Sequence, residues 1–178
     1  MSYLSEQNLL SYREQYRGKN TSRIFQESLN ANVTIFLSHS HEDNNLVEGL
    51  ILYLAQFGLN IYVDWKDSAM PKETNKTTAS TIKTKIKDLD MFWVLATKNA
   101  INSKWVPWEI GIADVLKGGN VFIIPVSDAN GKFHGNEYLQ LYERIELANS
   151  GVLASFQPNK YQGHTITEIL KRRGPIFG

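Results

Sequence analysis

No cysteine occurs among the 178 residues. Disulfides, thiolate nucleophiles and zinc–cysteine sites are thereby excluded, and the composition fits a reducing cytoplasm. Charge of one sign is missing too: 19 Lys and Arg face 18 Asp and Glu, a formal net charge of +1. Neither nucleic acid nor an anionic membrane is indicated as a partner. No apolar run is long enough to cross a bilayer, and residues 1–8 lack a basic stretch followed by an apolar one, so no signal peptide is expected. There is no internal repeat. The glycines form neither a G-x-G-x-x-G nor a G-K-[ST] signature, which excludes an ordinary nucleotide-phosphate cradle. A G-x-S-x-G elbow is also missing, which argues against a serine hydrolase. His39 and His41 stand two apart without a third ligand at a recognisable spacing, and His134 and His164 are isolated, so no metal site is expected.

What remains is an ordinary globular composition, 42% hydrophobic, long enough for one domain with a core. Leu9, Tyr12 and Tyr16 recur at helical spacing, and residues 23–29 suit a second short helix, so residues 1–30 read as an N-terminal helical extension. The domain proper is expected over 31–178. Val33-Thr34-Ile35-Phe36-Leu37 reads as a buried strand. Leu46, Leu50 and Leu54, flanked by Val47 and Ile51, give a helical stripe closed by Gly58. Residues 59–63 form a second strand, 77–88 a helix, 90–96 a hydrophobic and therefore central strand, and 121–126 a fourth strand. Strands and helices alternate at roughly 30-residue intervals, the pattern of a doubly wound, parallel α/β sheet. Asn130-Gly131 is a turn, 137–142 a short helix, and 145–156 contains an edge strand. Thr165 and Glu168 have capping-box spacing for a last helix.

The densest chemistry lies in Ser103-Lys104-Trp105-Val106-Pro107-Trp108-Glu109. Ser103 can cap a helix, and Pro107 is tolerated only near its first turn. Trp105 and Glu109 then share a face, with Trp108 beside them. A carboxylate framed by indoles suits a flat cationic ligand and a cationic transition state. The competing reading is an amphipathic helix with core tryptophans and a solvated glutamate. Two further loops open on the same sheet edge: Ser38 and His39 after the first strand, and Asp64, Trp65 and Lys66 after the second. For the first of these the plain alternative is that Ser40 caps a helix and the histidines lie at the surface. Three loops converging on one cleft point to a site at the carboxyl ends of the strands.

These stretches together resemble the Toll/interleukin-1 receptor (TIR) domain. Ile35-Phe36-Leu37-Ser38-His39-Ser40-His41-Glu42-Asp43 is similar to the opening box of bacterial TIR proteins, often F-[IL]-S-H-x-x-x-D. Residues 58–64 resemble the second strand leading into the variable "BB" loop. Ser103-Lys104-Trp105-Val106-Pro107-Trp108-Glu109-Ile110 resembles the S-x-W-x-x-x-E-[LI] element in which catalytic TIR domains carry their glutamate. The likeness covers about residues 31–160 and is nearest to stand-alone bacterial TIR proteins, including those of Thoeris-type anti-phage systems. One departure is that residues 66–78 lack the usual glycine-aspartate turn.

The resemblance implies a flavodoxin-like fold with a mostly parallel five-stranded sheet and helices on both faces. It implies cleavage of NAD+ at the nicotinamide–ribose bond, with NAD+ as substrate and no cofactor. Glu109 is the expected catalytic residue, and Phe36, Ser38, His39, Asp64, Trp65, Lys66, Trp105 and Trp108 the expected substrate contacts. Water as acceptor gives ADP-ribose; a group of the same molecule gives a cyclic isomer. The resemblance further implies self-association through TIR–TIR contacts and a separate effector reached through the nucleotide product. Two rival readings stay open: a non-catalytic TIR adaptor, and a nucleoside hydrolase on a similar fold.

Overall fold

A computed structural model describes residues 2–16, 33–55, 57, 59–64 and 75–173. The strands are β1 (Leu4–Ser5), β2 (Thr34–Ser38), β3 (Asn60–Tyr62), β4 (Met91–Ala96), β5 (Val121–Ser127), β6 (Glu143–Leu147), β7 (Leu153–Phe156) and β8 (Gly163–Thr165). The helices are α1 (Glu6–Tyr16), α2 (Asn44–Ala55), α3 (Lys76–Asp88), α4 (Lys98–Asn102), α5 (Trp105–Lys117) and α6 (Ile166–Arg173). The sheet order is β3-β2-β4-β5-β6-β7-β8, with β1 paired to β5. Strands β3, β2, β4, β5 and β6 pair in parallel, and the β6–β7 and β7–β8 pairs are antiparallel.

The α/β class, the parallel sheet and the central place of β4 are as the sequence predicts. The strand count is not. The five parallel strands are extended by β7, β8 and β1 to eight. The edge strand expected within 145–156 is instead two strands joined by a turn, and neither is an edge. Gly151 makes that turn with φ +77°, a conformation glycine adopts without steric cost.

Both faces of the sheet are covered, so the strands alternate between two cores rather than between core and solvent. Ile35, Leu37, Met91, Trp93, Leu95, Phe122 and Ile124 pack with α1, α2 and α6. Phe36, Phe92, Val94, Ala96, Val121 and Ile123 pack on the other face with α3 and α5. This period of two explains why the runs read as uniformly apolar.

The described part of residues 1–30 belongs to the fold. β1 lies beside the end of β5, with Leu4 level with Val126, and Ser2 and Leu147 exchange backbone hydrogen bonds of 2.9 and 3.0 Å. Leu9 of α1 is fully buried against α2, and Arg13 Nε donates to Glu48 Oε2 at 2.7 Å. α1 approaches α2 closely enough to need glycine there: a Cβ on Gly49 would stand 2.0 Å from the Leu9 carbonyl oxygen. The helix expected over 23–29 and the stop at Gly18 lie outside the described residues, as does the helix end at Gly58.

Candidate active site

Parallel pairing sets the height of the site. β2 runs level with β4, Ser38 beside Val94, and level with β3, Phe36 beside Tyr62. Ser38 is therefore the last strand residue of β2, and Asp64 follows β3 on the same edge. The chain leaves β4 at Thr97, whose hydroxyl caps α4 by accepting from Ala100 N at 3.0 Å. Ser103 then starts α5: its Oγ accepts from the N–H groups of Trp105 and Val106 at 3.2 and 3.4 Å. Pro107 sits in the first turn of α5, where its missing N–H removes no helical hydrogen bond.

One turn into α5, Glu109 points into the protein. It is 5% exposed, and Ser38 Oγ lies 2.5 Å from its Oε2. Burial pushes its pKa up to about 8; the Ser38 hydrogen bond pulls the other way, and the Asp64 charge adds to the rise. The expected solvated glutamate of the plain reading is thus not what this helix carries. Near neutral pH this carboxyl is mostly protonated. A cation placed against it favours the carboxylate, and in a site shielded from water that attraction is larger than at the surface.

His39 is buried beside it. Its Nδ1 is 2.9 Å from the Leu37 carbonyl oxygen, which can only accept, so Nδ1 carries the hydrogen. Its Nε2 faces Asp64 Oδ1 at 4.0 Å and has no hydrogen-bond partner among the described residues. Burial lowers the imidazole pKa, against the Leu37 bond and the Asp64 charge, so the ring is neutral at pH 7. His41 is exposed, and Ser40 Oγ caps the short turn His41–Asp43 by accepting from Glu42 N at 3.3 Å, as the plain reading held for those two.

The indoles of Trp105 and Trp108 are half-buried and meet edge to face, centroids 5.1 Å apart. Trp108 turns toward α3, where Lys83 Nζ lies 5.6 Å from its ring centre. Phe36 is placed differently from expectation. It is 2% exposed, between the rings of Phe92 and Tyr62, both 5.4 Å away. The strand alternation turns it into the α3/α5 core, so its part is packing beneath the site. Ser38 is likewise 1% exposed, and its hydroxyl is engaged by Glu109 rather than open to a ligand. Trp65, Lys66 and most of the loop through residue 78 lie outside the described residues.

Asp43 was visible in the sequence only as the end of a motif. Buried at 3% exposure, its carboxylate accepts from Thr97 Oγ1 and from Asn99 Nδ2, the latter at 2.7 Å. Its partners lie 54 and 56 residues away, beyond any local spacing rule. Among the described residues no group of three or more His, Asp or Glu is placed to hold a metal ion, and no helix is long and apolar enough to cross a membrane.

A family model for the TIR domain matches residues 35–155. The chain is 32% identical over 150 residues to the "Probable 3′ cyclic ADP-D-ribose synthase ThsB′" of Bacillus cereus (strain MSX-D12), covering 81% of this chain and 77% of that one. It is 29% identical over 97 residues to the "Putative cyclic ADP-D-ribose synthase TIR2" of Cytobacillus dafuensis, covering 53% of this chain and 25% of that longer protein.

Proposed function

Because the chain belongs to the TIR domain family, we propose that it is an NAD+ nucleosidase and cyclase in which Glu109 is the catalytic carboxylate. The observation that carries this reading is the buried Glu109, held by Ser38 at 2.5 Å with its pKa raised to about 8. Nicotinamide in NAD+ is a cationic ring, and the half-buried Trp105 one turn away offers it, or the adenine, a stacking surface. The cation draws Glu109 into its ionised form. The bond between ribose and nicotinamide then breaks, and its electron pair leaves with nicotinamide, which becomes neutral. Positive charge passes to the ribose as an oxocarbenium-like centre. A carboxylate already in place stabilises that charge without waiting for solvent to reorganise, an effect worth on the order of 100- to 1000-fold in rate.

The acceptor is a group of the same molecule, which gives a cyclic ADP-ribose isomer. Support comes from the relatives' names, both of which are those of cyclic ADP-D-ribose synthases. With a hydroxyl as acceptor, its oxygen forms the new bond to the ribose carbon and its proton is released. NAD+ is consumed as substrate and no cofactor takes part. In this reading the product serves as a messenger for a separate effector, and anti-phage defence is the setting it proposes. Copies of the chain associate, supported by the adjacent exposed Val115 and Leu116 on the helix that carries Glu109. The test is analysis of the products made from NAD+ by the native chain and by Glu109→Gln.

A further inference from the structure

We propose that Asp43 is a positioning residue for Glu109: it fastens the start of α4, and through it the start of α5, to the same loop that holds the Glu109 carboxyl. This rests on the role of Glu109 proposed above. Residues 38–43 grip the α4–α5 segment at two places. At one end Ser38 Oγ meets Glu109 Oε2 at 2.5 Å. At the other, the two oxygens of Asp43 take one donor each from Thr97 and Asn99.

Those two donors sit where α4 begins. Thr97 is its N-cap and also accepts from Ala100 N at 3.0 Å, so one hydroxyl links Asp43 to the helix backbone. α4 is a single short turn, and Ser103 N closes it by donating to the Ala100 carbonyl at 3.2 Å. Ser103 Oγ then sets the first N–H groups of α5, four residues from Glu109. Hydrogen bonds thus run from Asp43 through Thr97, Ala100 and Ser103 to the first turn of α5. A buried carboxylate is costly unless its oxygens are paired. Here both are paired, and both pairs cross between loops rather than within one. Without Asp43 the second of these two hydrogen-bonded ties is lost, and the Glu109 carboxyl is held in line by the Ser38 bond and core packing only. Misplacement of a catalytic group by about 1 Å can cost about 100-fold in rate.

The test uses the full-length chain with NAD+. Asp43→Asn turns one of the two carboxylate acceptors into a donor: the new NH2 faces either the Asn99 amide, two donors together, or the Thr97 hydroxyl, whose proton then loses its acceptor. The expected result is a kcat about 10- to 100-fold lower, with KM little changed because no substrate contact is removed. The exciton signal of the Trp105–Trp108 pair in circular dichroism should weaken in parallel, since that pair sits in the first turn of α5. The double variant Asp43→Asn/Asn99→Asp exchanges amide and carboxylate, remakes the hydrogen bond in the reverse direction, and should restore both kcat and signal. A folded Asp43→Asn with kcat within about twofold of the native value and an intact exciton signal overturns the proposal, as does a folded double variant that recovers neither. If Asp43→Asn does not fold, Thr97→Val, which removes the hydroxyl linking Asp43 to α4, decides: a loss of kcat and signal supports the proposal, and no loss in either overturns it. Glu109→Gln measured alongside separates the two readings. An active Glu109→Gln sinks the role of Glu109. An inactive one beside a fully active Asp43→Asn sinks only the role of Asp43.

Discussion

Ser38 Oγ lies 2.5 Å from Glu109 Oε2, joining the end of β2 to α5 across 71 residues of chain. This bond opposes the burial that raises the Glu109 pKa. Ser38→Ala should therefore lift that pKa further, above about 8. It also leaves a buried carboxyl without its partner. The expected outcome is about a tenfold loss of kcat/KM at pH 7, partly recovered at higher pH. A Ser38→Ala enzyme with native activity and an unmoved pH profile would show that the hydroxyl does not tune Glu109.

The raised pKa has two consequences of opposite sense. For catalysis the carboxylate is the working form, so kcat/KM should climb with pH to a midpoint near 8. The kcat profile should climb earlier, because bound cationic NAD+ favours the ionised carboxylate.

For stability the sign reverses. The folded value of about 8 exceeds the ordinary 4.5, so in that window the native state holds a proton that the unfolded chain has lost. The stability from this group is fully present below pH 4.5 and is lost as pH rises through about 8, a change on the order of a few kcal/mol. Glu109→Gln is neutral throughout. Urea unfolding should show it matching the native chain at pH 4.5 and exceeding it at pH 9. Parallel pH profiles for the two proteins would mean that Glu109 titrates normally.

Gly49→Ala tests whether the N-terminal helix is part of the fold. The added methyl would meet the Leu9 carbonyl at 2.0 Å, and a backbone atom cannot swing aside as a side chain can. α1 must lift, at a cost of about 2–3 kcal/mol. The urea midpoint should fall accordingly. An unchanged midpoint would show that α1 does not press on α2.

Self-association is checked by dilution. Specific activity should rise with protein concentration, and Val115→Glu/Leu116→Glu, which places charge on the exposed apolar pair, should flatten that rise. A native chain whose specific activity is flat, and which light scattering finds monomeric, would show that copies of the chain do not associate.

The inner strands were legible because β4 and β5 are buried along their whole length and carry little but apolar residues. The α5 site was legible for a similar reason: Ser103, Trp105 and Glu109 lie close in sequence, where helical spacing alone places them. The rest depends on contacts that spacing does not reveal. β1 is two residues long with a single leucine, a strand only because β5 offers it an edge. Phe36 and Ser38 both belong to a recognisable box. Only the register of β2 tells that one turns into the core and the other toward Glu109. Asp43 looks like any loop aspartate until β4 brings Thr97 and Asn99 to it.

In the proposed mechanism Glu109 drives the breaking of the nicotinamide–ribose bond. The most direct measurement is mass spectrometry of the products after NAD+ is incubated with the native chain and, in parallel, with folded Glu109→Gln. Nicotinamide and a cyclic isomer one water lighter than ADP-ribose are expected from the native chain, and neither from the variant. A folded Glu109→Gln that releases nicotinamide at the native rate would contradict this mechanism.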